Sequence, residues 1–598
     1  MTNRLLHRGP DSIGFFQDNL IDLGHTRLSI MDLSDASAQP FIDPGGRYVL
    51  VFNGELYNYK SLRSQLTSYS FVTEGDTEVL LAAFMQWGMN CLHKLDGIFA
   101  FAVWDCVGQT LWMARDRLGV KPFYYANPDG LFVFSSEQRA ILASGILSHR
   151  LNRNSLAGYL QFQSAGYPGM LVDGIMELPP GHFARFKGGV FDVSTYWKIS
   201  PIELDTEKPI KKEELNKTLF QLLNHAVEAR MLSAAPTGVF LSGGVDSSAI
   251  AAIMSLHQSE PVNTFTLHLD DADLNEAESA GQFAKRYRSQ HHNIIVHPVD
   301  CLQQVSDFLS DLDSPSMDGL NTYLISAAAA NAGMKVMLSG LGGDELFAGY
   351  PGFRYAKKLQ QYKFIYDRSG FFRKKLASAI AGLNFFGSFP IFRLLSANSH
   401  KIADCYPAFR QIMGIKEVRK FIRSGGNPEV EIRHRINGLV QQNETFQLAN
   451  YSRAEYSNYA LNTLLRDNDQ AGMAHSIEIR EPFFDYRLIE FVCSLPDTFK
   501  LSDYPKQMLV DALHPFLPGE INVRKKKGFV LPMEKWMRNE LYDLCKNYIY
   551  SLGEREFIHK PHLLEAWKRF STARSGERWT TIWMLVVLGA WMDKNDIT

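Results

Sequence analysis

The segment SGGVDSS, residues 242–248, combines residue types that suit the binding of a phosphate group. It follows a short apolar run and precedes an apolar stretch of helical character, so it joins a strand to a helix. Glycines let the backbone approach a ligand, and serine hydroxyls and the free N–H groups of a helix N-terminus supply donors to an anion. No Gly-Lys-Ser/Thr follows, which excludes a Walker A loop. Asp246 suits Mg²⁺, which prefers hard oxygen ligands beside phosphates.

A second loop of the same kind is SGLGGDE, residues 339–345, which also follows an apolar run. In an open parallel sheet the carboxyl ends of the strands meet at one edge, and ligands bind there. The alternative is that each loop is only a flexible turn that caps a helix. The repeated pattern, with an acidic residue in each loop, favours the first interpretation. We therefore expect Asp246 and Asp344 to lie near one ligand site at this edge of the sheet.

The elements that position these loops belong to the second of two halves. Residues 1–200 hold short strand-like runs separated by turns, with one long helical pattern from Thr77, and predict a mostly antiparallel α+β domain. Residues 201–213 are polar, with alternating charge, and predict a linker. Within 214–598, repeated strand–loop–helix patterns predict an α/β domain with a doubly wound parallel sheet, followed by a mainly helical region.

Composition excludes several classes of protein. The chain of 598 residues is 45% hydrophobic and 21% charged, which excludes a fibrous or disordered protein, and its net charge of −2 argues against nucleic acid as a partner. The most apolar stretch, residues 583–591, is shorter than the roughly 18 residues that cross a bilayer, so it predicts a buried helix. We therefore expect no membrane partner. With six scattered cysteines and no visible signal peptide, the sequence predicts a cytoplasmic protein.

Taken together, the motifs resemble those of glutamine-hydrolysing asparagine synthetases. SGGVDSS is similar to the PP-loop of ATP pyrophosphatases, which cleave ATP between the α and β phosphates. The likeness runs in order along almost the whole chain: HRGPD (7–11), GHTRLSI (24–30), FNGELYNY (52–59), EGDTEVLL (74–81), ARDRLGVKPFYY (114–125), SGGVDSS (242–248), LSGLGGDELFAGY (338–350), HSIEIREPFFDYRL (475–488) and RKKKGF (524–529). The resemblance implies an N-terminal-nucleophile-type sandwich followed by a PP-loop synthetase domain, ATP and Mg²⁺ as cofactors, and a homodimer.

For the second half, the resemblance implies that ATP activates a carboxylate. Attack on the α-phosphate would form an acyl-adenylate and pyrophosphate, and ammonia would then displace AMP. The residues implied are Ser242, Gly243, Gly244 and Ser247 for pyrophosphate, Asp246 and Asp344 for magnesium, and Leu241, Leu267, Ser339 and Gly340 for the adenosine side. Lys526 matches a lysine that the family uses against the α-phosphate, and Lys506 is a second candidate cation.

For the first half, the resemblance implies a glutaminase. A cysteine thiolate attacks the side-chain amide of glutamine, and hydrogen-bond donors stabilise the oxyanion. Asn53 and Gly54 would form the oxyanion hole, Arg27 would pair with the glutamine α-carboxylate, and Glu55 and Asp76 would bind its α-ammonium group. The structural alternative for Asn53-Gly54 is a type I′ hairpin turn between two strands.

The N-terminal cysteine of such glutaminases is missing from this sequence. HRGPD already occupies residues 7–11, and Thr2 lies too close to it to take the place of that cysteine. Cys91 follows a helical pattern and is more simply a core residue. We expect a domain truncated at its N-terminus, with the cysteine upstream of an internal Met. The alternative is a relic domain in an enzyme that uses free ammonia.

A second departure from the family concerns the acceptor. Asparagine synthetases usually carry Glu at the position of Leu341, and leucine cannot transfer protons. Either the nearby Glu345 substitutes for it, or the acceptor is not aspartate. We predict asparagine formation from aspartate, with ammonia from glutamine or from solution. The alternatives are amidation of another carboxylate, such as a polysaccharide sugar acid, and a non-catalytic relic. Ring closure as in β-lactam synthetases is disfavoured, because those enzymes carry Tyr at this position.

Overall fold

The computed structural model describes residues 1–598 with several gaps. The gaps are 166–168, 201–210, 270–274, 298–299, 381–392, 424, 441–446, 501–503, 515, 518–530 and 573–576. Most of the predicted linker, 201–213, and the candidate Lys526 therefore lie outside the described residues.

Antiparallel strands build the first half of the chain. They are β1 Ser12–Gln17, β2 Asp22–Arg27, β3 Phe41–Ile42, β4 Tyr48–Leu56, β5 Gly97–Asp105, β6 Thr110–Arg115, β7 Tyr124–Ala126, β8 Val133–Ser135, β9 Met176–Glu177, β10 His182–Lys187 and β11 Val190–Thr195. The order β11-β10-β6-β5-β4-β3 forms a six-stranded sheet, β8-β7-β9 forms a three-stranded sheet, and β1 pairs with β2. The central strands β4 and β5 are almost entirely buried, because apolar clusters cover both faces of the sheet.

Few helices accompany these strands. They are α1 Tyr59–Gln65, α2 Asp76–Trp87, α3 Gln138–Leu142 and α4 Arg153–Phe162, with short 3₁₀ turns at Thr2–Leu5, Asp35–Ser37, Gly88–His93 and Pro128–Gly130. The apolar side chains of α2 pack on one face of β4 and β5. The predicted α+β architecture is confirmed.

A parallel sheet organises the second half. Its strands are β12 Thr237–Phe240, β13 Asn263–Leu269, β14 Gln290–Val296, β15 Val336–Leu338 and β16 Glu478–Arg480. The order is β14-β13-β12-β15-β16, and every adjacent pair is parallel. Because β12 and β15 are neighbours, the loops that follow them leave the sheet at the same edge, as expected from the sequence.

Helices surround this sheet and make up most of the other described residues of the second half. The first nine are α5 Lys212–Arg230, α6 Val245–His257, α7 Asn275–Arg286, α8 Cys301–Asp311, α9 Leu320–Asn331, α10 Gly343–Leu346, α11 Pro351–Gln361, α12 Lys363–Arg368 and α13 Gly370–Ile380. Those that follow are Ile402–Arg410, Ile415–Phe421, Pro428–Asn437, Gln447–Glu455, a π-helical stretch Tyr456–Leu465, Arg466–Met473, a 3₁₀ turn Pro482–Phe484, Tyr486–Ser494, Asp497–Lys500, Gln507–Ala512, Met533–Arg538, Tyr542–Gly553, Lys560–Ser571 and Trp579–Lys594.

The helix Trp579–Lys594 is the buried terminal helix that the sequence predicts. It packs in one apolar cluster with residues of both halves. The hydroxyl of Tyr159 donates to the Met584 carbonyl at 2.9 Å, and the Trp591 indole N–H donates to the Asp313 carbonyl at 2.8 Å. Among the described residues, no helix combines the length and the hydropathy that crossing a bilayer requires.

Candidate functional site

The loop between β12 and α6 is closed by its own serine hydroxyls. The backbone N–H of Ser242 donates to Ser247 Oγ at 3.1 Å, and the two hydroxyl oxygens are also 3.1 Å apart. Gly243 has a φ of +73°, a conformation that favours glycine. Gly244 directly precedes α6, so the helix presents its first N–H groups at the loop. This geometry suits an anion such as pyrophosphate.

The loop after β15 packs directly against the first loop. A Cβ atom at Gly340 would lie 2.8 Å from the backbone nitrogen of Ser247, and one at Gly343 would lie 2.4 Å from the carboxylate carbon of Asp246. Glycine at these two positions therefore allows the close contact between the loops. The contact brings Asp246 and Asp344 into one site.

Lys506 joins the two acidic residues. Its Nζ lies 2.5 Å from Asp344 Oδ1 and is also paired with the Asp246 carboxylate. Lys506 is buried and precedes the helix Gln507–Ala512. Burial acts to lower the pKa of this ammonium, but the two carboxylates outweigh it and raise the pKa above its ordinary value. The site therefore holds a permanent cation beside two carboxylates.

The candidate adenosine side lies along the same edge of the sheet. Leu241 and Leu267 are buried at the carboxyl ends of the adjacent strands β12 and β13. The N–H of Leu241 donates to the Phe265 carbonyl at 2.8 Å. The N–H of Ser339 donates to the Arg480 carbonyl at 2.9 Å, which ties the second loop to β16. The structure thus places every described nucleotide candidate at one edge.

Glu345, the candidate substitute for the family's glutamate, is buried at the end of the second loop. Its Oε1 accepts a hydrogen bond of 2.7 Å from the Tyr350 hydroxyl. Burial, with Asp344 next to it, raises the pKa of Glu345 to about 7. Leu341 is partly buried against the apolar core. A carboxyl group is therefore present near the loop, but it is held by Tyr350.

A cavity of about 1230 Å³ lies in the first half. Its lining includes Arg27, Asn53, Gly54, Glu55 and Asp76, so the structure brings all the candidate glutamine residues together. This volume is large enough for an amino acid. The candidates come from β2, β4 and the start of α2, which meet because α2 packs on β4.

Asn53 and Gly54 lie inside β4 and not in a turn. They pair with Ala100 and Phe99 of β5, so the hairpin-turn alternative is wrong. Gly54 has a φ of +141° and lets the chain approach β5 more closely than a side chain would permit. The Asn53 Nδ2 group is buried and, among the described residues, has no hydrogen-bond acceptor. A buried donor without a partner beside a cavity suits the stabilisation of an oxyanion.

The charged candidates line the same cavity. The guanidinium of Arg27 donates to the Ser34 carbonyl at 2.7 Å and to the Asp32 carbonyl, which fix its position. Asp76 Oδ2 accepts from the Leu56 N–H at 2.8 Å, and burial raises the Asp76 pKa to about 6. Burial, together with the carboxylates of Asp76 and Glu478, raises the pKa of Glu55. An ammonium group would relieve this repulsion between carboxylates.

Neither Thr2 nor Cys91 supplies a thiol to this cavity. Thr2 lines the cavity, on the turn Thr2–Leu5. Cys91 is buried in the core against α2, as expected, and burial raises its pKa to about 12. No cysteine is among the described residues that line the cavity.

Comparison with known proteins identifies both halves. Residues 218–593 match the family model described as asparagine synthase, and residues 1–197 match the one described as glutamine amidotransferase domain. The chain belongs to the asparagine synthase family. It is therefore an amidotransferase of the ligase type, as the sequence predicts.

Relatives with different names support this assignment. Asparagine synthetase [glutamine-hydrolyzing] 1 of Bacillus subtilis is 28% identical over 100% of this chain and 93% of its own length. Amidase chyE of Penicillium rubens is 28% identical over 91% of this chain and 86% of its own. Putative asparagine synthetase [glutamine-hydrolyzing] 2 of Methanocaldococcus jannaschii is 32% identical over 58% of this chain and 72% of its own.

The asparagine synthase domain contributes side chains to the cavity of the amidotransferase domain. Glu478 of β16 lines that cavity. Arg480 Nη2 lies 3.4 Å from Glu55 Oε1, and Arg480 Nε donates to Glu478 Oε1 at 2.7 Å. Glu478 Oε2 lies 3.1 Å from Lys121 Nζ. These buried groups form a chain of ion pairs from the glutamine candidates to the strand beside the nucleotide loops.

Sequence reasoning missed Glu478 and Arg480 as site residues. Both belong to the motif HSIEIREPFFDYRL, which was assigned no role. The spacing of Glu478 and Arg480 could have indicated a shared role, because residues i and i+2 of a strand lie on the same face. Two opposite charges on one face of a buried strand require partners from another element. Lys526, in contrast, lies outside the described residues.

Gly54→Ala is expected to destabilise the amidotransferase domain by about 2 kcal/mol. A Cβ atom at this position would lie 2.0 Å from the Ile98 carbonyl oxygen, so β4 and β5 must move apart. Urea unfolding measures the loss. Gly46→Ala is the matched control, since Gly46 has a φ of +69° and open space around the added carbon, and it should cost only about 1 kcal/mol. Equal losses in the two variants would contradict the close-approach explanation.

Proposed function

We propose that this protein uses ATP to convert a carboxylic acid into its amide, with aspartate as the acceptor and asparagine as the product. The convergence of Asp246 and Asp344, one from each glycine-rich loop, on Lys506 carries this proposal. The arrangement combines donors for phosphate oxygens, a fixed cation and two hard carboxylates. The family assignment supports it.

In the proposed reaction, an acceptor carboxylate oxygen attacks the α-phosphorus of ATP. The bond to the bridging oxygen breaks, and pyrophosphate leaves into the loop formed by residues 242–248. Ammonia then attacks the acyl carbon, the C–O bond to AMP breaks, and the amide nitrogen loses a proton. The positive charge of Lys506 and the serine and backbone donors of the loop would stabilise the phosphate charge that develops.

Magnesium would be held by Asp246 and Asp344. Their carboxylates meet at one lysine ammonium, so they lie close enough to share an ion. Two carboxylates suit Mg²⁺, because this ion commonly combines one or two protein carboxylates with substrate phosphates and water. When bound, it would neutralise phosphate charge.

The amidotransferase domain would supply the nitrogen from glutamine. Arg27 would pair with the α-carboxylate, and Glu55 and Asp76 would bind the α-ammonium group. The unpartnered Asn53 Nδ2 would donate to the oxyanion that forms when the side-chain amide is attacked. Free ammonia would enter the reaction at the same point, where it attacks the acyl carbon.

The decisive test measures pyrophosphate and AMP release with aspartate and ammonia. We expect both products, in equal amounts, only when aspartate is present. A matched reaction with glutamate controls for nonspecific carboxylate activation. Product release that does not depend on aspartate would rule out asparagine synthesis.

A second candidate function is amidation of a different carboxylate, such as a sugar acid. Leu341 stands where asparagine synthetases usually carry Glu, and a relative that covers most of the chain is named an amidase. Pyrophosphate release with a panel of sugar acids, and none with aspartate, would favour this candidate. A non-catalytic relic is disfavoured, because the acidic pair and both loops are intact. A cytoplasmic location and a homodimer stay predictions.

Glutamine binding is expected to weaken as the pH falls through about 6. Asp76 has a pKa of about 6, and only its ionised form attracts the α-ammonium group, which stays protonated throughout. Below that pH, each unit should raise the dissociation constant about tenfold. Calorimetric titration between pH 5 and about 8 measures the change. Asp76→Asn should bind weakly at every pH, with a flatter profile. A flat profile for the parent protein would contradict the role of Asp76.

A further inference from the structure

Six large apolar side chains project into solvent from α12, α13 and the residue before them. They are Tyr362, Phe364, Ile365, Phe371, Phe372 and Leu376, with exposed fractions from 53% to 76%. Four of these residues occur as the adjacent pairs 364–365 and 371–372. A concentration of exposed aromatic and aliphatic groups within so short a segment marks an interaction surface. Together with Lys363, Arg368, Lys374 and Lys375, these six residues are called the aromatic–basic surface.

The orientation of this surface is fixed by two polar side chains that point inward. Arg373 is buried, and its Nη1 donates to the carbonyls of Leu395 at 2.7 Å and Ala397 at 2.8 Å. Its guanidinium also lies over the ring of Tyr366 at 3.8 Å, and the Tyr366 hydroxyl donates to the Leu394 carbonyl. Arg373 and Tyr366 are thus turned inward, whereas the six apolar side chains remain exposed beside Lys374 and Lys375. Such an arrangement suits contact with an apolar medium.

The same segment is strongly basic. Between residues 353 and 376 the cationic residues are Arg354, Lys357, Lys358, Lys363, Arg368, Arg373, Lys374 and Lys375, whereas the whole chain has a net charge of −2. Asp367 is the one acidic residue in this range, and its carboxylate accepts from the backbone N–H of His400 at 3.0 Å and lies 2.7 Å from the His400 ring. Arg373 is buried, but Arg368, Lys374 and Lys375 are exposed and give the surface positive charge that suits an anionic partner.

We propose that the aromatic–basic surface docks this protein on an anionic lipid bilayer. The aromatic rings would enter the boundary between headgroups and acyl chains, and the lysine and arginine side chains would pair with lipid phosphates. A protein partner fits less well, because lysine is depleted from the buried centres of protein interfaces. Attachment to one leaflet does not require a helix that spans the bilayer. The proposal does not depend on which acceptor is amidated.

Sedimentation of the full-length protein with lipid vesicles tests this proposal. We expect binding to vesicles of phosphatidylcholine with phosphatidylglycerol, little binding to phosphatidylcholine alone, and weaker binding at high salt. Lys374→Glu with Lys375→Glu should lower the partition coefficient by about tenfold or more, because two charges change sign. Phe371→Ser with Phe372→Ser should lower it by about tenfold as well.

The control carries two similarly exposed apolar residues elsewhere. Val72 and Val107 are 72% and 75% exposed, and Val72→Ser with Val107→Ser should bind vesicles like the parent protein. All the substituted side chains are exposed, so unchanged thermal midpoints show that folding is retained. Equal binding by all variants, or no binding to anionic vesicles, would overturn the proposal. A third outcome would also overturn it. If the parent protein self-associates and binds no vesicles, and the phenylalanine variant does not self-associate, the surface is a contact between protein molecules.

Discussion

Asp246→Asn is expected to lower the rate of pyrophosphate release by about 10²- to 10³-fold while the protein stays folded. The amide has nearly the volume of the carboxylate, so the contact with Gly343 is kept. It lacks the negative charge that would bind Mg²⁺ beside the phosphates. Asp344 Oδ1 lies 2.5 Å from Lys506 Nζ in the parent protein and is unchanged in this variant, so the buried ammonium is expected to keep a partner. The effect therefore falls on catalysis and not on folding.

The measurement is a steady-state assay of pyrophosphate release over a range of Mg²⁺ concentrations. Weaker magnesium binding predicts that more Mg²⁺ is needed for half-maximal rate, which a merely structural change would not produce. Asp300→Asn is the matched control in the same domain, since Asp300 is exposed and makes no capping hydrogen bond at α8, and it should retain full activity. An Asp246→Asn variant with the parent's rate and magnesium dependence would refute the assignment of this site.

Arg480→Met is expected to destabilise the protein by about 3–5 kcal/mol. Arg480 has no exposed surface, and its guanidinium is bonded to Glu478 at 2.7 Å and to the Leu232 carbonyl at 2.6 Å. Methionine fills similar space but leaves the carboxylates of Glu478 and Glu55 buried without this cation. The Glu55 carboxylate, which loses its cation, is the main source of the loss, because its desolvation is no longer compensated, whereas Glu478 keeps its contact with Lys121.

Urea unfolding of the full chain measures this loss, and two further variants locate its cause. Arg185→Met removes an exposed ion pair with Asp192 and should cost less than about 1 kcal/mol. Arg480→Met combined with Glu55→Gln removes the carboxylate that loses its cation and should recover part of the stability. A loss in Arg480→Met no larger than in Arg185→Met would show that the chain of ion pairs does not stabilise the contact between the two domains.

Several features of the fold could be predicted from the sequence because they depend on neighbouring residues. The order of apolar runs, glycines and helical stretches around 242–248 and 339–345 predicts strand–loop–helix units, and the structure has a parallel sheet there. The position of Asp246 and Asp344 at one edge follows from parallel strand direction alone. The apolar run 583–591, too short to span a bilayer, predicts a buried helix, and the helix is buried.

Tertiary contacts decided what local patterns could not. Asn53-Gly54 has the composition of a hairpin turn, but its glycine serves the close approach of β4 to β5, and only the partner strand reveals that. Lys506 is a candidate cation in the sequence, but only the fold shows that it joins Asp246 to Asp344, because 260 residues separate it from Asp246.

The same limit applies to the cavity and to the molecular surface. Glu478 and Arg480 reach the glutamine candidates because β16 lies at the edge of the sheet that faces the other domain. The outward direction of Phe371 and Phe372 depends on Arg373, which is held by carbonyl groups of a different segment. Sequence by itself determined which residues are suited to this chemistry, because motif and secondary structure depend on neighbouring residues. Tertiary structure decided which of them meet, because burial and charge pairing depend on residues far apart in the chain.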